Sequence, residues 1–73
     1  MTIDVAQIAA MPVGGILTEP SVWFADPIMV VRSNDSRWLV RLGFGGVSLA
    51  RSAERAMFYV RDRRRLAARA VQE

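Results

Sequence analysis

Apolar positions recur every three to four residues from Ser52 to the C-terminus, which is the period of an amphipathic α-helix. Ser52 suits the N-cap, and Glu54 lies in the first turn, where a carboxylate interacts favourably with the helix dipole. We therefore predict a helix over about residues 52–71. Its apolar side carries Ala53, Ala56, Val60, Ala67, Ala70 and Val71. This side should cover a β-sheet.

The middle of the chain predicts a β-hairpin with strands at about residues 28–32 and 37–42. Residues 28–31 read Ile-Met-Val-Val, and the residues after the turn are again mostly apolar. Between the two strands, the polar segment Ser-Asn-Asp-Ser at 33–36 is typical of a turn.

A four-residue turn predicts that Arg32 lies opposite Arg37. The core face of the hairpin would then carry Met29, Val31, Trp38 and Val40. The opposite face would carry Arg32, Arg37 and Arg41 among Ile28, Val30 and Leu39. Neighbouring like charges destabilise a sheet unless an anion lies close by, so this basic face is a candidate binding surface. Alternatively, the N-terminal segment covers this face and its arginines pair with Asp4, Glu19 or Asp26.

The remaining segments complete an α+β fold in a single small domain, residues 1–73. Thr2 could cap a short N-terminal helix that Pro12 ends, although an irregular segment is also compatible with the pattern. Residues 16–24 read as an extended segment or edge strand, with Val22, Trp23 and Phe24 as core anchors. Residues 47–49 could form a short third strand. The predicted fold is thus a small antiparallel sheet packed against the C-terminal helix.

Composition narrows the function classes. With 73 residues the chain can hold one small core, and dimerisation is one way to complete it. The sequence contains neither cysteine nor histidine, so we predict no disulfide, metal site or cofactor. No two acidic residues stand at a spacing that predicts convergence, and we therefore expect no enzymatic activity. We see neither a signal peptide nor a membrane-spanning segment, which favours a cytoplasmic protein.

All ten basic residues are arginine, the net charge is +3 and the sequence pI is near 11.1. A GC-rich genome explains such usage, and so does the fit of the guanidinium group to phosphates. The charge is segregated, because every arginine lies at or after Arg32. This segregation predicts a polarised molecule with one positive surface.

The predicted helix carries arginines on the side away from its apolar residues. Arg61, Arg65 and Arg69 follow one another at four-residue spacing, and each such pair is mutually repulsive by a few tenths of a kcal/mol. This row is either an ordinary solvated face or an anion-binding surface. Phe58 projects among the arginines, where it could stack on a base or enter a protein pocket, or else pack under the N-terminal segment. Arg63 falls in the apolar sector and would have to snorkel, pair with an acid or meet a partner. The candidate binding residues are Arg32, Arg37, Arg41, Arg55, Phe58, Arg61, Arg64, Arg65 and Arg69.

Residues 28–70 resemble the N-terminal arm-type DNA-binding domain of phage-type tyrosine integrases. The likeness lies in the strand-turn-strand segment Val30–Trp38, in Leu42-Gly43, and in the segment Val47–Arg51 that leads into an arginine- and alanine-rich helix. The resemblance implies a three-stranded sheet that packs on one helix and inserts into the DNA major groove. It would assign DNA contacts to Arg32, Arg37 and Arg41. The chain departs from the family in lacking room for a full third strand.

Two functional hypotheses follow. The first is a small nucleic-acid-binding accessory protein, from a phage or other mobile element, whose arginines contact phosphates. The alternative is a protein-binding inhibitor or regulator, such as an anti-CRISPR or a toxin–antitoxin component, that docks on an acidic surface of a larger partner. A homodimer formed through the C-terminal helix is a third possibility.

Overall fold

A computed structural model describes residues 2–20, 27–43 and 46–72, with the side chains of residues 70–72 left undescribed. The elements are α1 (Val5–Ala9), β1 (Ile16–Glu19), β2 (Ile28–Asn34), β3 (Arg37–Leu42), β4 (Ser48–Ala50) and α2 (Ala53–Gln72). The four strands form one antiparallel sheet in the order β1-β2-β3-β4. The predicted α+β fold is confirmed. The proposed anchors at 22–24 lie outside the described residues.

The N-terminal helix begins two residues later than predicted, because Asp4 and not Thr2 is its N-cap. Asp4 Oδ1 accepts a hydrogen bond from the Gln7 amide at 2.8 Å, and Gln7 Oε1 accepts one from the Asp4 amide at 2.9 Å. This reciprocal capping box satisfies the backbone amides of both Asp4 and Gln7. The helix then places its Ile8 carbonyl 3.1 Å from Trp38 Nε1, which donates to it.

A glycine turn leads the chain from α1 into the sheet. Gly14 has a φ of +83°, which side-chain-bearing residues rarely adopt, and a Cβ on Gly15 would lie 2.9 Å from the Pro12 carbonyl oxygen. The Gly14 amide donates to the Arg32 carbonyl at 2.8 Å, and the Arg32 amide donates to the Gly15 carbonyl at 3.1 Å. The turn therefore extends the pairing between β1 and β2 as far as Arg32.

The hairpin register differs from the predicted register by one residue. Arg32 pairs with Trp38 and Asn34 with Arg37, and the register shifts at Ser33 between them. The turn is shorter than predicted because the Asn34 side chain accepts a hydrogen bond from the Ser36 amide at 2.9 Å. An extra residue on one strand reverses the faces of the residues on one side of it. The prediction was therefore right for the faces of β3 and wrong for those of β2.

The corrected register defines two faces of the sheet. The inner face carries Leu17, Glu19, Ile28, Val30, Arg32, Trp38, Val40, Leu42, Ser48 and Ala50. The outer face carries Ile16, Thr18, Met29, Val31, Arg37, Leu39, Arg41 and Leu49. Val30 and Val40 are fully buried, whereas Met29 and Val31 are only partly buried.

Helix α2 packs on the inner face, and its buried side chains confirm the predicted apolar side. Ala53, Ala56, Val60 and Ala67 are buried as predicted, together with Met57. Helix α1 packs against α2 and contributes Ile8 to the same core. Both helices therefore lie on the inner side of the sheet. The outer face of the sheet and the outer surface of α2 lie on opposite sides of the molecule.

Candidate functional site

The structure divides the nine predicted binding residues among three places. Arg32 and Arg64 are partly buried, and their guanidinium groups contact other parts of the chain. The outer surface of α2 carries Arg55, Phe58, Arg61, Arg65 and Arg69. The outer face of the sheet carries Arg37 and Arg41. Because the last two places face in opposite directions, the predicted single positive surface does not form.

Arg64 joins α2 to β1 and to the N-terminal segment. Its Nη2 and Nε atoms lie 2.6 Å and 2.8 Å from the two carboxylate oxygens of Glu19, and Nη2 also donates to the Ile3 carbonyl at 2.7 Å. The Glu19 carboxylate accepts a further hydrogen bond from the Ile3 amide at 2.8 Å. A bidentate pair of this kind is among the stronger hydrogen-bonded contacts in proteins. Arg64 thus has a structural role.

The Glu19 and Arg64 charges stabilise each other. The hydrogen bond from Arg64 lowers the pKa of Glu19 below its ordinary value, although burial acts in the opposite direction. The same hydrogen bond raises the pKa of Arg64. The alternative prediction had correctly named Glu19 as an arginine partner, but had paired it with the hairpin arginines. The partner is on α2 because Glu19 belongs to the inner face, which α2 covers.

Arg32 also has its contacts within the fold. Its guanidinium carbon lies 4.7 Å from the centre of the Trp38 ring, a cation–π arrangement, and its Nη2 donates to the Asp35 carbonyl at 2.9 Å. Its Nη1 donates to the Met11 carbonyl at the end of the N-terminal segment. Arg32 lies on the inner side because of the register shift. The predicted basic face of Arg32, Arg37 and Arg41 is therefore wrong.

Arg63 was predicted to snorkel, pair with an acid or meet a partner, and it pairs with an acid. Its Nη1 lies 3.1 Å from an Asp62 carboxylate oxygen, and its Nη2 donates to Ser48 Oγ at 2.6 Å and to the Gly46 carbonyl at 3.1 Å. Its side chain is only 12% exposed. The hydrogen bonds of Arg63 thus connect α2 to the start of β4.

The outer surface of α2 keeps its positive charge. Arg55, Arg61, Arg65 and Arg69 are all exposed. The carboxylates on this surface, among the described residues, are Glu54 and Asp62, so four positive charges face two negative ones. Asp62 lies 3.7 Å from Arg65 Nη2, whose side chain is 70% exposed. A long contact between exposed groups neutralises little charge.

Phe58 lies in the same surface, beside Arg55. It is 47% exposed, so it does not occupy the buried position that the alternative interpretation gave it. The Arg55 guanidinium carbon lies 4.9 Å from the centre of the Phe58 ring and 5.3 Å from that of Tyr59. The two rings meet edge to face at 5.7 Å. The outer surface of α2 therefore combines guanidinium groups with an accessible aromatic ring.

The outer face of the sheet carries Arg37, Leu39 and Arg41 as predicted, but its other apolar residues differ from the predicted ones. Ile16 is 58% exposed and Leu49 is 42% exposed, and Val47, which precedes β4, is 56% exposed. A shallow groove of about 290 Å³ is lined by Met29, Val31, Leu39, Arg41 and Val47. The wrong register had placed two of these residues, Met29 and Val31, in the core. The unbroken apolar run at 28–31 was the available signal, because such runs are typical of strands covered on both faces.

Within residues 2–20, 27–43 and 46–72, no cluster of acidic side chains is arranged to hold a metal ion, and neither helix is long and apolar enough to cross a membrane.

The resemblance to integrase arm-type domains stays a prediction. No protein-family model, curated protein or solved structure matches the chain.

Proposed function

We propose that the protein is a small nucleic-acid-binding accessory protein and that it binds through the outer surface of α2. The observation that carries this proposal is the gathering of four exposed arginines on one helical surface that bears two carboxylates. Guanidinium groups are well suited to phosphate oxygens, and phosphate contacts dominate the affinity of most nucleic-acid-binding proteins.

The spacing of the arginine row fits a phosphate backbone. Arg61, Arg65 and Arg69 succeed one another at about 6 Å along the helix axis, so the row covers about 12 Å. One strand of a duplex presents a phosphate about every 3.4 Å along its axis, and the row can therefore reach about three phosphates. Each step also turns by about 40° around the helix. The row follows a curved path, as a flexible single strand can.

Phe58 favours a single strand over a duplex. Its exposed ring can stack on an unpaired base, whereas the bases of a duplex are already stacked on one another. Arg55 packs against this ring and adds a positive charge beside the stacking site. The geometry of this surface therefore favours single-stranded DNA or RNA without strict sequence preference.

Fluorescence anisotropy of a labelled single-stranded oligonucleotide of mixed sequence, measured at several salt concentrations, tests the proposal. Four phosphate contacts predict a slope of about −2.8 for the logarithm of the affinity against that of salt concentration. The double variant Arg61→Gln/Arg65→Gln should reduce this slope by about 1.4. The matched control Arg37→Gln/Arg41→Gln, on the opposite side of the molecule, should leave it unchanged.

The Phe58→Ala variant separates stacking from charge. We expect it to bind the single strand at least about fivefold more weakly, since stacking contributes about 1–3 kcal/mol per base, with the salt slope unchanged. Affinity for a duplex of the same sequence should change little. Absent or salt-independent binding would refute the proposal, and so would equal losses from the two double arginine variants.

A further inference from the structure

We infer that the outer face of the sheet is a docking surface for an amphipathic α-helix of a partner protein, with acidic residues on the flanks of its apolar stripe. This inference is independent of nucleic-acid binding, because the outer surface of α2 lies on the other side of the molecule. It rests on the register of the sheet, on the exposure of its outer residues and on their charge.

The register aligns an apolar row across all four strands. Ile16 pairs with Val31, Val31 with Leu39, and Leu39 with Leu49. With neighbouring strands about 4.8 Å apart, the row is about 14 Å wide. Its end members, Ile16 and Leu49, are each more than 40% exposed. Isolated apolar residues are ordinary on a protein surface, but a contiguous patch is typical of an interaction site.

Strand β2 has the composition of a strand that is covered on both faces. Ile28 and Val30 are buried on the inner face, and Met29 and Val31, equally large and apolar, point to the outer face. Strands with one solvated face usually alternate apolar with polar residues. The helices of the described chain both lie on the inner side. A partner layer on the outer side would cover the second apolar face of β2.

A helix has suitable dimensions for this layer. Helix α2 already packs across β2, β3 and β4 on the inner side, which shows that these strands accept a helix. A helix is about 10 Å in diameter, so one that lies along the row, across the strands, fits between Arg37 and Arg41 on β3. The groove beside Leu39, about 290 Å³ in volume, could receive a large apolar side chain from the partner stripe.

Charge identifies the kind of helix. The outer-facing positions of the four strands contain Arg37 and Arg41 and no carboxylate. These arginines lie on either side of Leu39 on β3, about 13 Å apart along the strand. Acidic residues on the two flanks of a helix that lies along the apolar row have a similar separation, since the helix is about 10 Å in diameter. A partner helix with an apolar stripe and acidic flanks is therefore complementary to the face.

The same charges disfavour the other occupants. Two copies of this chain packed through the face would bring four arginines together with no carboxylate from either face. A nucleic acid would set its phosphates against Val31, Leu39 and Leu49, whose apolar surface offers them no hydrogen bond.

Two synthetic helical peptides of 18 residues test the inference. They share one leucine stripe and differ only in having glutamate or lysine on the flanks, and each carries a fluorescent label for anisotropy. We expect the glutamate peptide to bind the wild-type protein at least tenfold more tightly than the lysine peptide. The double variant Arg37→Glu/Arg41→Glu should reverse this preference. Failure of both peptides to bind, or equal binding of both, overturns the inference.

Substitutions on the two sides locate the binding. Leu39→Gln and Leu49→Gln should each weaken the glutamate peptide at least fivefold. The matched control Leu66→Gln removes a side chain of similar exposure, 48%, from the outer surface of α2 and should have no effect. Leu49→Gln alone decides the result if Leu39→Gln lowers the melting temperature. An equal loss from Leu66→Gln contradicts the inference.

Further measurements distinguish the docking of a partner helix on the outer face from self-association and from nucleic-acid binding. A concentration-dependent dimer in sedimentation equilibrium, abolished by Leu49→Gln, would assign the face to a second copy and overturn the inference. A loss of oligonucleotide binding in Leu49→Gln as large as that in Arg61→Gln/Arg65→Gln would assign it to nucleic acid. Conversely, Arg61→Gln/Arg65→Gln should leave the binding of the glutamate peptide unchanged, so failure of one proposal leaves the other testable.

Discussion

The junction of the N-terminal segment, β1 and α2 uses arginine very differently from the outer surface of α2, although the two regions are adjacent along the helix. At the junction, Arg64 makes two short contacts to Glu19, whose side chain is 12% exposed. One residue later, Arg65 is 70% exposed and has a carboxylate oxygen at 3.7 Å. Arginine holds parts of the fold together in one region and is a solvated charge in the other. Net charge alone therefore overstates the charge offered to a partner.

The largest effect should come from the adjacent pair itself. Arg64→Gln leaves the partly buried Glu19 carboxylate without its main partner, and we expect the free energy of unfolding to fall by about 2–3 kcal/mol. Arg65→Gln should change it by less than about 0.5 kcal/mol. Chemical denaturation of the two variants measures both values. Equal destabilisation would show that the two regions do not differ as described.

Arg32 and Arg37 extend the comparison to the hairpin. Arg32→Gln removes the contact with the Trp38 ring and hydrogen bonds to three backbone carbonyls, and should lower the free energy of unfolding by about 1–2 kcal/mol. Arg37→Gln should have an effect below about 0.5 kcal/mol, since Arg37 is exposed on the outer face. Urea titrations of both variants give the comparison. A larger loss from Arg37→Gln would contradict the observed register.

Acid should weaken the junction selectively. The hydrogen bond from Arg64 lowers the pKa of Glu19 in the folded state, so unfolding is accompanied by proton uptake at low pH. The resulting stabilisation is complete above the ordinary pKa of glutamate, about 4.3, and is lost as the pH falls through the lower folded-state pKa. Denaturation between pH 7 and pH 2 should show a shallower loss of stability in Glu19→Gln than in wild type. An unchanged slope would count against the ion pair.

The smallest effect is expected on the outer face of the sheet. Leu49→Thr should alter the free energy of unfolding by less than about 0.5 kcal/mol, because Leu49 is 42% exposed and threonine is well suited to a strand. Thermal unfolding followed by circular dichroism checks this. A loss above about 1 kcal/mol would mean that the row supports the fold itself and is not simply presented to a partner.

Local sequence patterns predicted the elements and the buried side of α2 well. The spacing of Ala53, Ala56 and Val60 specifies which side of α2 is buried, because helical periodicity depends only on neighbouring residues. The register of the hairpin could not be predicted in the same way. Residues 33–36 are compatible both with a four-residue turn and with a two-residue turn preceded by a bulge at Ser33. That ambiguity reversed the faces of β2 and hid the apolar row.

The site was predictable only where it depends on one element. The row of Arg61, Arg65 and Arg69 follows from helical spacing and is exposed as predicted. The internal role of Arg64 depends on Glu19, which is 45 positions away, and no periodic pattern relates the two residues. The contact between Arg32 and Trp38 likewise depends on the hairpin register, which the sequence did not predict correctly. Tertiary contacts, and not composition, therefore decide which arginines are available for binding.

The order β1-β2-β3-β4 pairs each strand with its neighbour along the chain, which has a consequence for folding kinetics. Such a meander requires only short loops to close, and proteins rich in local contacts fold quickly. The bonds from Arg64 to Glu19 and to the Ile3 carbonyl instead close loops of 45 and 61 positions. The transition state should therefore contain the central hairpin, while the N-terminal segment docks late and its mutations mainly accelerate unfolding.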